Sequence, residues 1–426
     1  MGKEGHQDRR SGGLKSYRQH LTAEAKALLT RLNQIEPFAL TMPMVRAANI
    51  PDQAQKGINT LLVDGTKELR QEVNQFIRNT NFKTQPSAAK SQKQFALLKL
   101  RFNALLDQLD IFADVLTQRG EHNTGVWLAG LDTVAKDALS IVRPFVDPPP
   151  MITYLDRGHG AAIRRARTRL PGGKKNPVAV IRVPRERMVS SGIASSLVHE
   201  VGHQGAALLG LLPSLRDTLR KEGRRDASRA EAWTLFERWI SEILSDCWSV
   251  GILGIGATAG LMGVVSLPKY FVFRMNLDDP HPFPWIRVKI SCAFGQALYP
   301  DKQWGQLNRL WSRLYPVGKL PAKQRRLIAL LEATIPAFVQ HVIRHRPSLL
   351  KGKAVGSIFP TQKRQPKRLR SLYQKWKTKP MLAKRSRPAL VFSVLGQARA
   401  DHRISPEKEA KLLTDLLRHW AMKRNV

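Results

Sequence analysis

The most informative part of the chain is the stretch 195–203, which reads SSLVHEVGH. It contains the pattern H-E-x-x-H, in which His199 and His203 are four residues apart. Positions four apart lie on one face of an α-helix, so the two imidazoles can bind one metal ion. Glu200 lies beside them, where it can hold a water on that ion. A pattern this short also arises by chance, so the surrounding sequence has to support it.

The residues on either side of the motif favour a buried helix. A run rich in β-branched residues ends at Val183, and apolar side chains at helical spacing follow it. This order predicts a strand and then a helix over about 188–209, with Ile193 and Leu197 on its buried face. Gly202 has no side chain, so a neighbouring segment can approach the helix closely at that position.

A second acidic pair follows downstream, in the stretch 241–246, which reads SEILSD. Glu242 and Asp246 are four residues apart and share one face of a predicted amphipathic helix. A zinc site with two histidines needs a third protein ligand, which Glu242 supplies, while Asp246 accepts the outer N–H of a ligand histidine. Glu231 is closer to the motif in sequence and remains an alternative third ligand.

Together these elements resemble the gluzincin metallopeptidases, in which an E-x-x-x-D helix follows H-E-x-x-H. The separation between His203 and Glu242 is similar to that in the CAAX prenyl protease and heat-shock protease X type. The stretch 279–287, DPHPFPWIR, resembles the His-Pro segment and following Arg of those enzymes. The resemblance covers about 177–298 and implies that His281 and Arg287 lie near the site, where they assist the oxyanion or order the ligand helices. A purely structural role is the alternative for both.

The rest of the chain is mainly helical in pattern, so we expect a mainly α protein. Residues 1–13 are polar and predict a flexible tail, and residues 14–147 predict a helical bundle domain that ends at a run of prolines. A zincin-like α+β domain follows over 151–346, with an active-site helix and a small β-sheet built from strands at 151–155 and 177–183. A basic, acid-free segment is expected over 347–404, and a C-terminal helix over 405–426.

The charge balance is strongly basic, with 70 Lys and Arg against 33 Asp and Glu and a formal net charge of +37. Such a field favours polyanions, so nucleic acid or an anionic membrane surface is an expected partner. The stretch 351–387 contains 13 cations and no acid, interleaved with Phe359, Tyr373 and Trp376. Of these aromatic residues, Tyr373 and Trp376 are expected to stack on bases or to settle at a lipid interface. An unstructured, solvated tail is the alternative. The candidate polyanion-binding residues are Lys363, Arg364, Lys367, Arg368, Arg370, Lys375 and Lys377.

The stretch 247–267 has 21 residues without a charge, which is long enough to span a bilayer. Its five glycines and its continuity with a polar helix favour a buried core helix, with membrane contact as the alternative. Two cysteines exclude a disulfide-built scaffold, and the N-terminus has no apolar run of the secretory kind. The cytoplasm is therefore the default location, with membrane association through 247–267 and signal-independent export left open.

The function that these observations favour is that of a zinc-dependent metallopeptidase, an endopeptidase that hydrolyses proteins or peptides. Zn²⁺ is expected on His199, His203 and Glu242, with Glu200 as the general base. The alternative is a polyanion-binding or assembly protein whose zinc site is structural or degenerate. Neither a phosphate-binding loop nor a G-x-S-x-G elbow occurs in the sequence.

Overall fold

The computed structural model describes residues 4–35, 42–80, 87–156, 160–184 and 191–423. It is mainly helical with one small sheet, as the sequence predicts. The strands are β1 (Met151–Asp156), β2 (Ala162–Arg164) and β3 (Ala179–Pro184). The helices are α1 (Glu4–Asn33), α2 (Asp52–Thr80), α3 (Ala88–Thr117), α4 (His122–Leu139), α5 (Ser191–Leu208), α6 (Leu211–Arg225), α7 (Ala230–Leu253), α8 (Ile255–Val265), α9 (Lys269–Val272), α10 (Pro284–Leu298), α11 (Lys302–Leu314), α12 (Ala322–Arg344), α13 (Pro366–Thr378), α14 (Met381–Arg385), α15 (Pro388–Ala400) and α16 (Pro406–Lys423).

Helices α1, α2 and α3 form an N-terminal bundle with its own hydrophobic core. On α1 the buried residues Leu21, Ala25, Leu28 and Leu32 recur at three- and four-residue steps, so they lie on one face. The flexible tail predicted over 1–13 is wrong for the described residues, because α1 already begins at Glu4. The helix that the apolar face of α1 anchors therefore continues into this polar stretch.

The sheet separates this bundle from a larger core. Its strand order is β1-β3-β2, with β1 and β3 parallel and β2 antiparallel to β3. Alternate side chains point to opposite faces, so Ile152 and Val180 pack on the bundle while Leu155 and Ile181 pack into the larger core. Strands β1 and β3 match the predicted ones, and β2 lies in the segment between them.

Helix α4 belongs to the larger core and not to the bundle. Its residues Trp127 and Leu131 pack there, and the lack of a side chain at Gly130 lets α16 approach. A Cβ at Gly130 would lie 2.5 Å from the carbonyl oxygen of Leu417. The hydrophobic contacts therefore divide the chain before α4, whereas the proline run after residue 146 suggested a boundary at 147.

The uncharged stretch 247–267 is not one helix. Helix α7 ends at Leu253, and Gly254 breaks the path with a φ of 64°, in the region that favours glycine. Helix α8 has 11 residues and is about 16 Å long, too short to cross a bilayer. Among the helices within the described ranges, only α12 is long and apolar enough to span a membrane, and core helices pass the same test.

The basic stretch 351–387 is folded rather than a loose tail. Phe359, Tyr373 and Trp376 are between 4% and 9% exposed and belong to the larger core. Tyr373 also donates its hydroxyl hydrogen to the carbonyl oxygen of Arg403, at 3.0 Å. The prediction that Tyr373 and Trp376 stack on bases is therefore wrong, because the rings anchor the segment from inside.

Candidate metal centre

Helices α5 and α7 approach each other closely enough to bring their polar side chains together. A Cβ at Gly202 would lie 2.8 Å from the Cα of Ser245. At Gly205, one turn further along α5, a Cβ would lie 2.3 Å from the ring of Trp248. The two glycines thus form a flat strip on α5 against which α7 packs, and the close approach that the sequence predicts at Gly202 is confirmed.

Three side chains from the two helices converge on one point. His199, His203 and Glu242 each offer one ligand atom, and these atoms lie within 4.8 Å of one another. Nε2 of His199 is 3.2 Å from Oε2 of Glu242, and Nε2 of His203 is 3.3 Å from Oε1. Zinc–ligand bonds of 2.0–2.2 Å in a tetrahedron put neighbouring ligand atoms about 3.3 Å apart. The group can therefore hold a metal ion.

The outer nitrogens of both histidines also have partners. Nδ1 of His199 lies 2.8 Å from Oδ1 of Asp246, as expected from the sequence. Nδ1 of His203 lies 3.4 Å from the hydroxyl oxygen of Ser241, which the sequence analysis missed. Such contacts fix the imidazole orientation and direct each Nε2 at the shared point.

Arg287 on α10 holds this arrangement from the other side. Its Nε and Nη2 donate to the two oxygens of Asp246 at 2.6 and 2.9 Å, in a bidentate pair. The pair is buried, and the guanidinium has a further ion-pair contact of 3.8 Å with Glu242. Arg287 thus positions Asp246, which in turn positions His199.

The charges in this cluster shift one another's ionisation. Burial alone would lower the pKa of His199, but Asp246 and Glu242 raise it to about 9. Burial likewise opposes ionisation of Asp246, but Arg287 and His199 lower its pKa to about 2. The pKa of Glu242 falls below its ordinary value because hydrogen bonds from both histidines outweigh its burial. The two carboxylates are therefore ionised at neutral pH, and a metal ion would have to displace a proton from His199 to bind there.

Glu200 lines the same cavity as the ligand group. It is 6% exposed, and burial raises its pKa above the ordinary value against the opposing effect of the two histidines. A buried carboxylate with a raised pKa is the usual form of a general base in a hydrolytic site.

The cavity has a volume of about 580 Å³ and is open to solvent along the site. Helices α5 and α7 form the wall that carries the ligands, and α8 contributes the apolar side chains Ala257, Leu261 and Val264. Residues of the segment 160–165, which includes β2, also line the cavity. The cavity thus has an apolar part next to the polar groups of the candidate centre.

His281 lies at the rim of the site, whereas Glu231 does not belong to it. Nε2 of His281 is 3.4 Å from Oε2 of Glu242, and its Nδ1 is 2.8 Å from Asp279. Glu231 is exposed three turns before Glu242 on α7, about 16 Å along the helix axis. The alternative third ligand is therefore wrong.

The three motifs that resemble the gluzincins meet in this one site. No family model, curated protein or solved structure matches the chain. The resemblance is carried by the H-E-x-x-H helix, the E-x-x-x-D helix and the segment from His281 to Arg287.

The candidate polyanion-binding residues do not all face solvent. Arg364 is 6% exposed and donates through Nε to the carbonyl oxygen of Ile252 at 2.8 Å. Arg370 binds Asp401 through Nε at 2.9 Å and also contacts Asp301. These two arginines stabilise the fold. The remaining candidates are exposed and form no ion pair with any described residue: Lys363, Lys367, Arg368, Lys375 and Lys377.

Proposed function

We propose that this protein is a zinc-dependent metallopeptidase that hydrolyses internal peptide bonds of protein or peptide substrates. The observation that carries the proposal is the separation of Glu242 from the two imidazole nitrogens, at 3.2 and 3.3 Å, with Glu200 in the same cavity. A base next to an accessible metal site is what peptide hydrolysis requires.

The donor set favours zinc. Two imidazole nitrogens and one carboxylate oxygen leave a fourth position open, which is the composition of catalytic zinc sites, and no thiol lies among the donors. When bound, Zn²⁺ supplies a Lewis acid that polarises the scissile carbonyl and makes a water more acidic.

The protein's own residues supply the proton transfers and the positioning. Glu200 takes a proton from the attacking water and returns it to the amine nitrogen that leaves. Its raised pKa brings it closer to neutral pH, which favours both transfers. His281 is half exposed at the rim, where it can donate a hydrogen bond to the carbonyl oxygen as negative charge develops. Arg287 is committed to Asp246, so its role is to order the ligand helices.

Three proteins test the proposal: the wild type, Glu200→Gln and the matched control Glu237→Gln. Glu237 is on α7 but pairs with Arg220 and does not line the cavity. We expect one zinc per chain in all three by elemental analysis. Hydrolysis of unfolded protein and of a quenched-peptide mixture should fall about 10²–10⁴-fold in Glu200→Gln only. Absence of zinc from the wild type, or equal hydrolysis by all three, would reject the proposal.

A second candidate function is polyanion binding by the exposed face of α13. Lys367, Arg368, Lys375 and Lys377 are exposed there, next to Lys363, without ion pairs to described residues. The apolar side chains of α13 are buried or half-buried, so this face offers charge without groups that insert into a bilayer. Nucleic acid is therefore a better match than a membrane.

Charge substitution on the α13 face tests this second function. Replacing Lys367, Arg368 and Lys375 by Gln should weaken binding to a short DNA duplex and reduce its salt dependence, while zinc content stays unchanged. Deleting the segment is unsuitable, because Phe359 and Trp376 belong to the core. Binding to phosphatidylserine vesicles but not to DNA would indicate a membrane partner, and binding to neither would remove the proposal.

A further inference from the structure

Among the residues that the structure describes, Arg165 is the one charged side chain in the wall of the metal cavity that the site itself does not use. Besides the histidines, five described charged residues line the cavity: Arg165, Glu200, Glu242, Asp246 and Arg287. Glu242 faces the imidazoles, Asp246 is paired with Arg287, and Glu200 is the proposed base. The guanidinium of Arg165 has no hydrogen bond or ion pair with any described residue, and the side chain is half-buried.

The segment that carries Arg165 is tied to the metal-binding helix. The backbone N–H of Ala166 donates to Oε1 of Gln204 at 2.9 Å, and Gln204 is 1% exposed. Gln204 directly follows the ligand His203 on α5, as Ala166 directly follows Arg165. The hydrogen bond therefore fixes the position of Arg165 relative to the metal ligands.

A second buried amide side chain, that of Asn176, also holds this segment. Nδ2 of Asn176 donates to the carbonyl oxygen of Arg165 at 3.2 Å, and Asn176 is 1% exposed. The next turn places Arg167 at a φ of 66°, and its N–H donates to the carbonyl oxygen of Asn176 at 2.8 Å. These hydrogen bonds hold the backbone that carries Arg165 at the cavity wall.

Away from the metal site, the charged neighbours of Arg165 are mainly basic. It also lines a neighbouring cavity whose charged residues are Arg164, Arg182 and Asp114. Arg182 has an acidic partner in Asp156, at 3.5 Å, whereas Arg165 forms no ion pair with a described residue. A half-buried guanidinium loses part of its hydration, and a carboxylate replaces that hydration in a bidentate geometry.

We propose that Arg165 binds a carboxylate of the substrate and makes the protein selective for acidic peptides. This inference rests on the proposed peptidase function, since it assigns the substrate class of the same cleft. The part of the cavity wall formed by Ala257, Leu261 and Val264 is apolar and cannot discriminate by charge. An Asp or Glu side chain and a free C-terminal carboxylate present the same chemistry to Arg165.

The test measures binding separately from hydrolysis, in zinc-loaded Glu200→Gln protein. Three peptides of equal length carry an internal Glu with an amidated C-terminus, an internal Gln with a free C-terminus, or an internal Gln with an amidated C-terminus. Fluorescence anisotropy gives the Kd of each for Glu200→Gln alone and combined with Arg165→Gln, Arg165→Lys or Arg169→Gln. Arg169 is exposed, four residues away, and does not line the cavity.

We expect one of the two carboxylate peptides to bind about 10- to 100-fold more tightly than the neutral peptide, the range of a hydrogen bond to a charged group. Arg165→Gln should abolish this preference, Arg165→Lys should keep part of it, and Arg169→Gln should leave it unchanged. Preference for internal Glu indicates a side-chain carboxylate, and preference for the free C-terminus indicates terminal recognition. Zinc content and the thermal midpoint of each variant show whether it is folded.

Equal binding of all three peptides, or a preference that survives Arg165→Gln in folded protein, would overturn the assignment. Failure of the peptidase function gives a different result, because the wild type would then cleave none of the peptides while the Arg165-dependent preference persisted in Glu200→Gln. Cleavage without any charge preference would leave the peptidase function standing and remove the role of Arg165.

Discussion

Helices α5 and α7 bury three carboxylates at the metal site, whereas α13 directs most of its charges to solvent. Glu200, Glu242 and Asp246 are at most 9% exposed, and each meets a named partner or the shared cavity. On α13, Lys367 and Arg368 are exposed and form no ion pair with a described residue.

The difference decides what each region can do. A buried charge is tolerated only with a partner in a fixed position, so the α5–α7 pair has defined distances and a defined chemistry. Exposed charges add to the electrostatic potential around the protein. This potential attracts any polyanion, so the individual positions of the charges matter little. Substitutions should therefore have large, specific effects in the first region and small, additive effects in the second.

The largest effect is expected at the third ligand. Glu242→Ala removes the one carboxylate that faces both imidazoles, so stoichiometric zinc should be lost, as in His199→Ala or His203→Ala. The matched change Glu237→Ala, on the same helix, should keep zinc. Elemental analysis after dialysis measures both. Equal zinc content in the two variants would mean that Glu242 is not a ligand.

A smaller loss of metal affinity is expected for residues that contact a ligand histidine but do not bind the metal ion themselves. Asp246→Ala removes the partner of His199 and the bidentate partner of Arg287, so zinc affinity should fall about 10–100-fold. Ser241→Ala removes only a 3.4 Å contact with His203 and should cost less. Competition with a chelator of known affinity ranks the two. If Ser241→Ala cost more zinc affinity than Asp246→Ala, the contact of Ser241 with His203 would be the more important one for metal binding.

Substitutions in the contact between α5 and α7 should lower the free energy of unfolding. Gly205→Ala brings a Cβ to within 2.3 Å of the Trp248 ring, so we expect a loss of about 1–3 kcal/mol in the free energy of unfolding. Gly263→Ala on α8 meets nothing within 4 Å and should stabilise the helix by up to about 1 kcal/mol. Urea denaturation measures both, and a neutral Gly205→Ala would mean that the helices are further apart.

The smallest effects are expected in the basic segment, where an exposed arginine and a buried arginine should differ. Arg368→Gln should change the free energy of unfolding by less than about 0.5 kcal/mol and reduce the salt slope of DNA binding by about 0.9 if it contacts a phosphate. Arg364→Gln should instead destabilise the fold by about 1–3 kcal/mol, because Arg364 is buried and donates to Ile252. Similar stabilities for the two variants would contradict this division.

The sequence predicts best where one helix alone fixes the geometry. His199 and His203 share a face because of helical periodicity, and the same holds for Glu242 and Asp246. That the two faces meet depends on the packing of α5 against α7. Within the sequence itself, Gly202 was the residue that indicated this close packing.

Features that depend on contacts between distant parts of the chain could not be predicted from the local sequence. The approach of Arg165 to the cavity depends on a hydrogen bond between Ala166 and Gln204, which nothing in either stretch indicates. The basic segment had a composition typical of a solvated tail, but three buried aromatic rings outweigh it. Helix α4 precedes the proline run yet packs with α16, because chain order does not determine which core a helix joins.

Zinc K-edge X-ray absorption on the purified full-length protein tests the central claim most directly. The account predicts two imidazole nitrogens at about 2.0–2.1 Å and a light-atom carboxylate ligand at about 2.0–2.2 Å, with no sulfur. Glu242→Ala protein reloaded with zinc should lose one light-atom ligand, whereas Glu237→Ala protein should give the wild-type spectrum. Sulfur at about 2.3 Å, or a spectrum without imidazole scattering, would contradict the assignment of His199, His203 and Glu242 as the metal centre.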